Sequence, residues 1–239
     1  MTRIKEAILL AGGLGTRLRS AVPDLPKCLA PVGGRPFIGY LIDYFRQEGI
    51  ERFIFALGYK STYFDDFFRV NFPDGGYTIS LEDEPLGTGG AIRQACGLAE
   101  EKTVLILNGD TFYRIGLGAL SAFHEDKQAD CSLCLKPMQD FDRFGVVELD
   151  EDQRVSRFRE KQYYPAGLIN GGVYALNRES FMREQWPPVF SFEKDYLEKS
   201  AVGGVERRVF GLVQDSYFID MGIPEDYRRA QKELIDQQL

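Results

Sequence analysis

Histidine is nearly absent from this chain of 239 residues, with His124 its only instance. A multi-histidine metal site and a histidine pair are therefore impossible, and a Ser-His-Asp triad would have to be built on that one residue. Tryptophan is also single, and the four cysteines are Cys28, Cys96, Cys131 and Cys134. No apolar run approaches ~18 residues, which excludes a transmembrane helix. The run at residues 7–11 is too short for the hydrophobic stretch of a signal peptide. Reduced thiols in a cytoplasm are the simplest reading of those cysteines. Positive charge is not in excess either: 29 Lys+Arg face 36 Asp+Glu, a formal net charge of −7. The basic residues are dispersed, so neither a nucleic acid nor a membrane surface is expected as a partner.

What is present is an ordinary globular composition, 44% hydrophobic and 27% charged, which excludes intrinsic disorder and a bare disulfide scaffold. Residues 7–10 form a short apolar run followed by glycines, the pattern of a buried strand. Phe37, Tyr40, Leu41, Tyr44, Phe45 and Glu48 sit at helical spacing, with Pro36 before them and Gly49 after. Residues 53–57 and 77–81 read as strands. Ser61 is placed to cap a helix that carries Phe64, Phe67 and Phe68, an aromatic group best suited to the core along with Phe72. Residues 87–99 read as a helix, and 104–107 as a central parallel strand.

This alternation predicts an α/β fold, a doubly wound sheet. After residue 128 the pattern becomes β-rich, with strand-like segments at 129–136, 144–149, 154–160 and 169–176, then helices at 191–199 and 224–237. With no Pro- or Ser-rich linker, a single domain over 1–239 is expected. Cys131 and Cys134 form a Cys-x-x-Cys, but in a strand residues i and i+3 point to opposite faces, so they cannot share a metal or an undistorted disulfide. His124, near the end of a helix, reads as a surface residue. Trp186-Pro187-Pro188 fits either the wall of a binding site or a dimer contact.

In an open parallel sheet, ligands bind beyond the carboxyl ends of the strands. The loop after the first strand is Ala11-Gly12-Gly13-Leu14-Gly15-Thr16-Arg17-Leu18. Its glycines let backbone N–H groups converge on an anion, and Arg17 adds a fixed positive fork. It is not a P-loop, because Thr16-Arg17 follows Gly15 where Lys-Ser/Thr is required, and it lacks the third glycine of a dinucleotide fingerprint, Leu18 standing there. A second loop, Pro26-Lys27-Cys28-Leu29-Ala30-Pro31-Val32, holds a lysine between prolines. Taken alone, each is equally a surface turn.

Together the two loops resemble the signature of the sugar-1-phosphate nucleotidyltransferases. The resemblance extends through Glu84-Pro85-Leu86-Gly87-Thr88-Gly89-Gly90, Asn108-Gly109-Asp110, Phe144-Gly145-Val146-Val147, Glu160-Lys161, Asn170-Gly171-Gly172 and Phe218-Ile219-Asp220-Met221-Gly222, so it covers essentially the whole chain. Within the family, Asp140-Phe141-Asp142-Arg143, Gly167-Leu168-Ile169 and Phe190-Ser191-Phe192-Glu193 look like the guanylyltransferases that act on a manno-heptose 1-phosphate. The resemblance implies a Rossmann-like doubly wound mixed sheet, with a nucleotide-binding half over 1–128 and a β-rich, sugar-phosphate-binding half over 129–239. It implies GTP and a sugar 1-phosphate as substrates, Mg²⁺ as cofactor, and a monomer or homodimer.

The site residues follow in the same way. Arg17, Lys27 and Asp110 would be catalytic. Leu10, Ala11, Gly12, Gly13, Gly15, Thr16, Arg17, Glu82, Pro85, Gly87, Thr88, Asn108 and Gly109 would bind the nucleotide, with the glycines letting the base approach the backbone. Glu82 is suited to accept from the N1–H and N2–H₂ of guanine. Gly145, Glu160, Lys161, Asn170 and Gly171 would bind the sugar phosphate, and Asp110 with Asp220 would hold the metal. Such a reaction needs no Ser, Cys or His nucleophile, because phosphate attacks unaided at neutral pH. Bringing two polyanions together is the difficulty, so positioning and charge neutralisation do the catalysis. GDP-mannose-forming and UTP-, dTTP- or CTP-dependent relatives are competing readings. So is a non-catalytic sugar-nucleotide-binding subunit, although Arg17, Lys27 and Asp110 are all present.

Overall fold

The computed structural model describes residues 3–13, 25–58, 61–201 and 207–236. The first apolar run becomes β1 (Glu6–Leu10), almost wholly buried. After a 3₁₀ turn at Lys27–Leu29 come the hairpin strands β2 (Pro31–Val32) and β3 (Arg35–Pro36), then α1 (Phe37–Glu48). Gly49 ends α1 in the left-handed region, φ 105°, as a glycine C-cap does. β4 (Arg52–Leu57) follows. Ser61 does not cap the next helix: it opens a 3₁₀ turn, Ser61–Phe64, and α2 (Asp65–Asn71) starts behind Phe64 without a side-chain cap.

The chain continues through β5 (Tyr77–Leu81), α3 (Gly87–Cys96), β6 (Thr103–Asn108), β7 (Thr111–Tyr113) and α4 (Leu117–Asp126). The expected helix over 87–99 stops at Cys96, with Gly97 as its C-cap. The second half contains β8 (Cys131–Phe141), β9 (Val147–Leu149), β10 (Val155–Phe158) and β11 (Tyr164–Asn177), followed by α5 (Arg178–Arg183). The helix expected over 191–199 is a π-helix, Phe192–Glu198, running into α6 (Lys199–Ala201), with the Ser191 side chain capping its start. The short strands β12 (Val209–Val213) and β13 (Phe218–Asp220) precede α7 (Pro224–Asp236).

Seven strands form the central sheet in the order β12-β8-β11-β6-β1-β4-β5. β5, β4, β1 and β6 are mutually parallel. β11 is antiparallel to both β6 and β8, while β12 is parallel to β8. Only β11 therefore runs against the rest, and the sheet is mixed, as expected for this class of α/β fold.

The sheet separates two apolar layers, and strand alternation decides which residue joins which. Ala7 and Leu9 of β1, with Phe53 and Phe55 of β4, face the layer of α1, α2 and α7. Ile8 and Ile54 face the layer of α3, α5 and the π-helix. The same alternation puts Cys134 in the first layer and Cys131 in the second, each buried as a free thiol. Phe64, Phe67, Phe68 and Phe72 are all core residues.

His124 departs from its expected surface position. It is only 5% exposed, and its Nδ1 lies 2.9 Å from the hydroxyl of Ser132 on β8. Packing of α4 on β8 carries it inside, and desolvation pushes its pKa down to about 4. Among the described residues no helix is long and apolar enough to cross a membrane.

Candidate active site

The carboxyl ends of β1, β4 and β6 open into one cavity of about 1190 Å³. β1 and β6 pair so that Leu10 lies opposite Asn108, and the Gly109 N–H donates to the Leu10 carbonyl at 3.0 Å. A Cβ on Gly109 would stand 2.7 Å from that oxygen, so only glycine lets the two strand ends close. Asp110 leaves this junction directly into the cavity.

Asp220 is 110 residues away in sequence, yet it faces the same point. β13 pairs antiparallel with β7, matching Asp220 to Thr111, and the Met221 N–H donates to the Asp110 carbonyl at 2.9 Å. Lys27 projects from its 3₁₀ turn because Cys28 and Leu29 beside it are buried. Its ammonium donates to Asp110 Oδ2 at 2.7 Å and lies 3.7 Å from Asp220 Oδ1. Burial and the neighbouring Asp110 charge raise the pKa of Asp220, while Lys27 and Arg143 oppose the rise. Arg143 also pairs with Asp226 of α7 at 2.5 Å, tying that helix to the site. Cys28 lines the cavity too, but burial pushes its thiol up to about 12, so no thiolate is available there at neutral pH.

Of the residues that the sequence singles out, Leu10, Ala11, Gly12, Gly13, Lys27, Glu82, Pro85, Gly87, Thr88, Asn108, Gly109, Asp110, Asn170 and Asp220 line this cavity. Gly15, Thr16 and Arg17 lie outside the described residues. Gly145, Glu160, Lys161 and Gly171 do not line it. Glu160 and Lys161 are exposed. Gly145 packs on the Arg159 carbonyl, and Gly171 packs beneath the Tyr113 ring. Asn170 reaches the cavity through a bulge in β11, where pairing with β8 slips between Asn170 and Tyr174. Gly172 makes the bulge at φ +71° and presses on the Asn108 side chain.

Glu82 has a structural duty as well: its Oε2 accepts from the Leu86 N–H at 2.9 Å, bracing the loop before α3. The glycines that open α3 face protein. Cβ atoms on Gly87 and Gly89 would stand 2.5 Å from the Phe190 carbonyl and 2.2 Å from its ring. Trp186 stacks on Phe190 at 4.7 Å and is absent from the cavity wall among the described residues, so it buttresses this loop from behind. Sequence reading missed Phe144, Phe218 and Glu193 as cavity residues. All three lie in the quoted motifs, but nothing local indicates that they turn inward.

A cavity at strand ends where two carboxylates and a lysine converge has the size and charge to receive a phosphorylated ligand. The model of the family described as "Nucleotidyl transferase" matches residues 6–237, and the chain belongs to that family. It is 45% identical over 229 residues to D-glycero-alpha-D-manno-heptose 1-phosphate guanylyltransferase of Aneurinibacillus thermoaerophilus, covering 96% of this chain and 98% of that protein. It is 39% identical to the Campylobacter jejuni protein of the same name, covering 93% and 96% of the two chains. The crystal structure of HddC from Yersinia pseudotuberculosis complexed with GMP-PN superposes with a TM-score of 0.86 at 34% identity, covering 97% of this chain and 100% of that one.

Proposed function

We propose that this chain transfers a guanylyl group from GTP to D-glycero-α-D-manno-heptose 1-phosphate, forming GDP-heptose and pyrophosphate. The convergence of Lys27, Asp110 and Asp220 on one cavity carries the reading for the chemistry. The near-full-length similarity to two guanylyltransferases of that name supports base and sugar. An oxygen of the sugar phosphate attacks the α-phosphorus of GTP. The new P–O bond forms as the bond to the pyrophosphate oxygen breaks in line.

Lys27 neutralises charge that builds on the phosphates, and Arg17 is assigned the same task from the first glycine loop. Residues 1–128 hold the nucleotide, with Glu82 accepting from guanine, and residues 129–239 hold the sugar phosphate, with Asn170 on the cavity wall and Gly145, Glu160, Lys161 and Gly171 assigned to the sugar phosphate by the family resemblance alone. Asp110 and Asp220 fit a divalent cation: both are hard oxygen donors, and both already face a common positive charge. We assign Mg²⁺ to this pair, where it would offset charge on the α-phosphate. The reaction belongs in a cytoplasm, where nucleotide triphosphates are supplied.

The test is a panel of nucleoside triphosphates against sugar 1-phosphates, read by pyrophosphate release and product mass. Turnover with GTP and the heptose phosphate is expected. Activity with UTP but not GTP would overturn the base assignment, and preference for mannose 1-phosphate would overturn the sugar.

A further inference from the structure

Thr88, in the first turn of α3, lies in a stretch that the family resemblance assigns to the nucleotide. Its hydroxyl is committed elsewhere. Thr88 Oγ1 donates to Glu193 Oε2 at 2.7 Å and accepts from the Phe192 N–H at 2.9 Å. Ser191 Oγ adds a donor to the same Glu193 oxygen at 3.3 Å. Glu193 sits in the first turn of the π-helix, and such helices concentrate at functional sites. One carboxylate oxygen is thus held by the protein. The other, Oε1, has no protein donor among the described residues, while Glu193 lines the cavity.

Three neighbours locate it. Asn170 Nδ2 donates to the Tyr174 hydroxyl at 2.9 Å, and the Glu193 charge acts on that buried phenol. The Tyr174 ring also packs edge-on against Phe192 at 5.2 Å, the residue before Glu193. Glu193 therefore stands on the cavity wall beside the Asn170–Tyr174 pair, and Asn170 lines the same cavity. A carboxylate there repels phosphate and accepts well from neutral hydroxyls.

We propose that Glu193, aimed by Thr88, accepts hydrogen bonds from hydroxyls of the sugar 1-phosphate, and that Thr88 is a positioning residue for the sugar despite its place in the stretch assigned to the nucleotide. This rests on the guanylyltransferase reading above. The two halves of the site are then joined by one side-chain contact, because the start of α3, to which Thr88 belongs, also borders the nucleotide.

Steady-state kinetics on the full chain test it, with GTP and D-glycero-α-D-manno-heptose 1-phosphate each varied against wild type, Glu193→Gln, Thr88→Val and Thr88→Ser. Glu193→Gln is expected to raise KM for the sugar phosphate at least about tenfold, the scale of one charge-assisted hydrogen bond. KM for GTP should stay within about twofold. Thr88→Val should move the same constant by about fivefold, and Thr88→Ser, which keeps the hydroxyl, should restore it. A rise in KM for GTP with the sugar constant unmoved would assign Glu193 to the nucleotide and overturn the proposal. Unchanged constants in Glu193→Gln, or failure of Thr88→Ser to rescue, would overturn it as well. Wild-type turnover of this substrate pair tests the guanylyltransferase reading separately, and the variant-to-wild-type ratios test Glu193.

Discussion

The Lys27 ammonium lies 2.7 Å from Asp110 and 3.7 Å from Asp220, so a single cation bridges two carboxylates 110 residues apart in the chain. Lys27→Met and Asp220→Asn should each lower kcat by roughly 10²–10³, the usual cost of losing one preorganised charge partner of a transition state. Chelation of divalent cations should abolish pyrophosphate release, and added Mg²⁺ should restore it. Turnover that survives Asp110→Asn and Asp220→Asn would remove the metal from this pair.

Gly89 has no room for a side chain, since a Cβ would enter the Phe190 ring at 2.2 Å. Gly89→Ala should destabilise the fold by about 1–3 kcal/mol through overpacking and raise KM for GTP. Gly13, whose Cβ would meet nothing within 4 Å among the described residues, provides the contrast: Gly13→Ala should leave stability within about 0.5 kcal/mol. Urea denaturation of both variants reads the difference.

Glu6 is 3% exposed, pairs with Arg52 at 2.6 Å and accepts from the N–H groups of Glu100 and Glu101 at 2.7 Å each. Glu6→Ala leaves those two N–H donors without their acceptor, while Arg52 keeps Glu100 at 3.0 Å, Thr78 at 3.1 Å and the Leu98 carbonyl at 3.2 Å. It should cost about 2 kcal/mol or more in urea denaturation, with KM values unchanged because Glu6 does not line the cavity.

His124 makes stability depend on pH. Burial is the leading cause of its depressed pKa of about 4, Arg208 adds to it, and Asp130 opposes it. The unfolded chain takes up a proton near pH 6.5 and the folded chain does not. The contribution is therefore complete above pH 6.5 and is lost as pH falls toward 4, amounting to about 3 kcal/mol at the low end. His124→Asn, which keeps a partner for Ser132, should flatten this part of the stability profile. An unchanged slope between pH 7 and pH 4.5 would show that His124 is not its source.

The legible parts of the fold were those set by neighbours in sequence. Helical spacing with Pro36 and Gly49 at its ends marked α1, and the i to i+3 rule separated Cys131 from Cys134. β12 and β13 went unread because each is short and is defined by a distant partner: Val209 by Cys131 and Asp220 by Thr111. The burial of His124 depends on Ser132 of a neighbouring strand, which no helical pattern reveals. In the site, residues 87–99 were legible as a helix with glycines that leave room at its start, but not that Phe190 fills the room beside Gly87 and Gly89. Glu193 went unread for the same reason, since Thr88, 105 positions earlier, sets its direction.

The match of Thr111 with Asp220 also bears on how the molecule is made. A ribosome delivers Asp110 when fewer than half the residues have been joined, and its acidic counterpart arrives only with β13. Until that strand docks against β7, the growing chain has no second carboxylate beside Lys27. Contacts spanning so many residues close slowly, so catalytic competence should lag behind formation of the parallel β1-β4-β5-β6 core during synthesis.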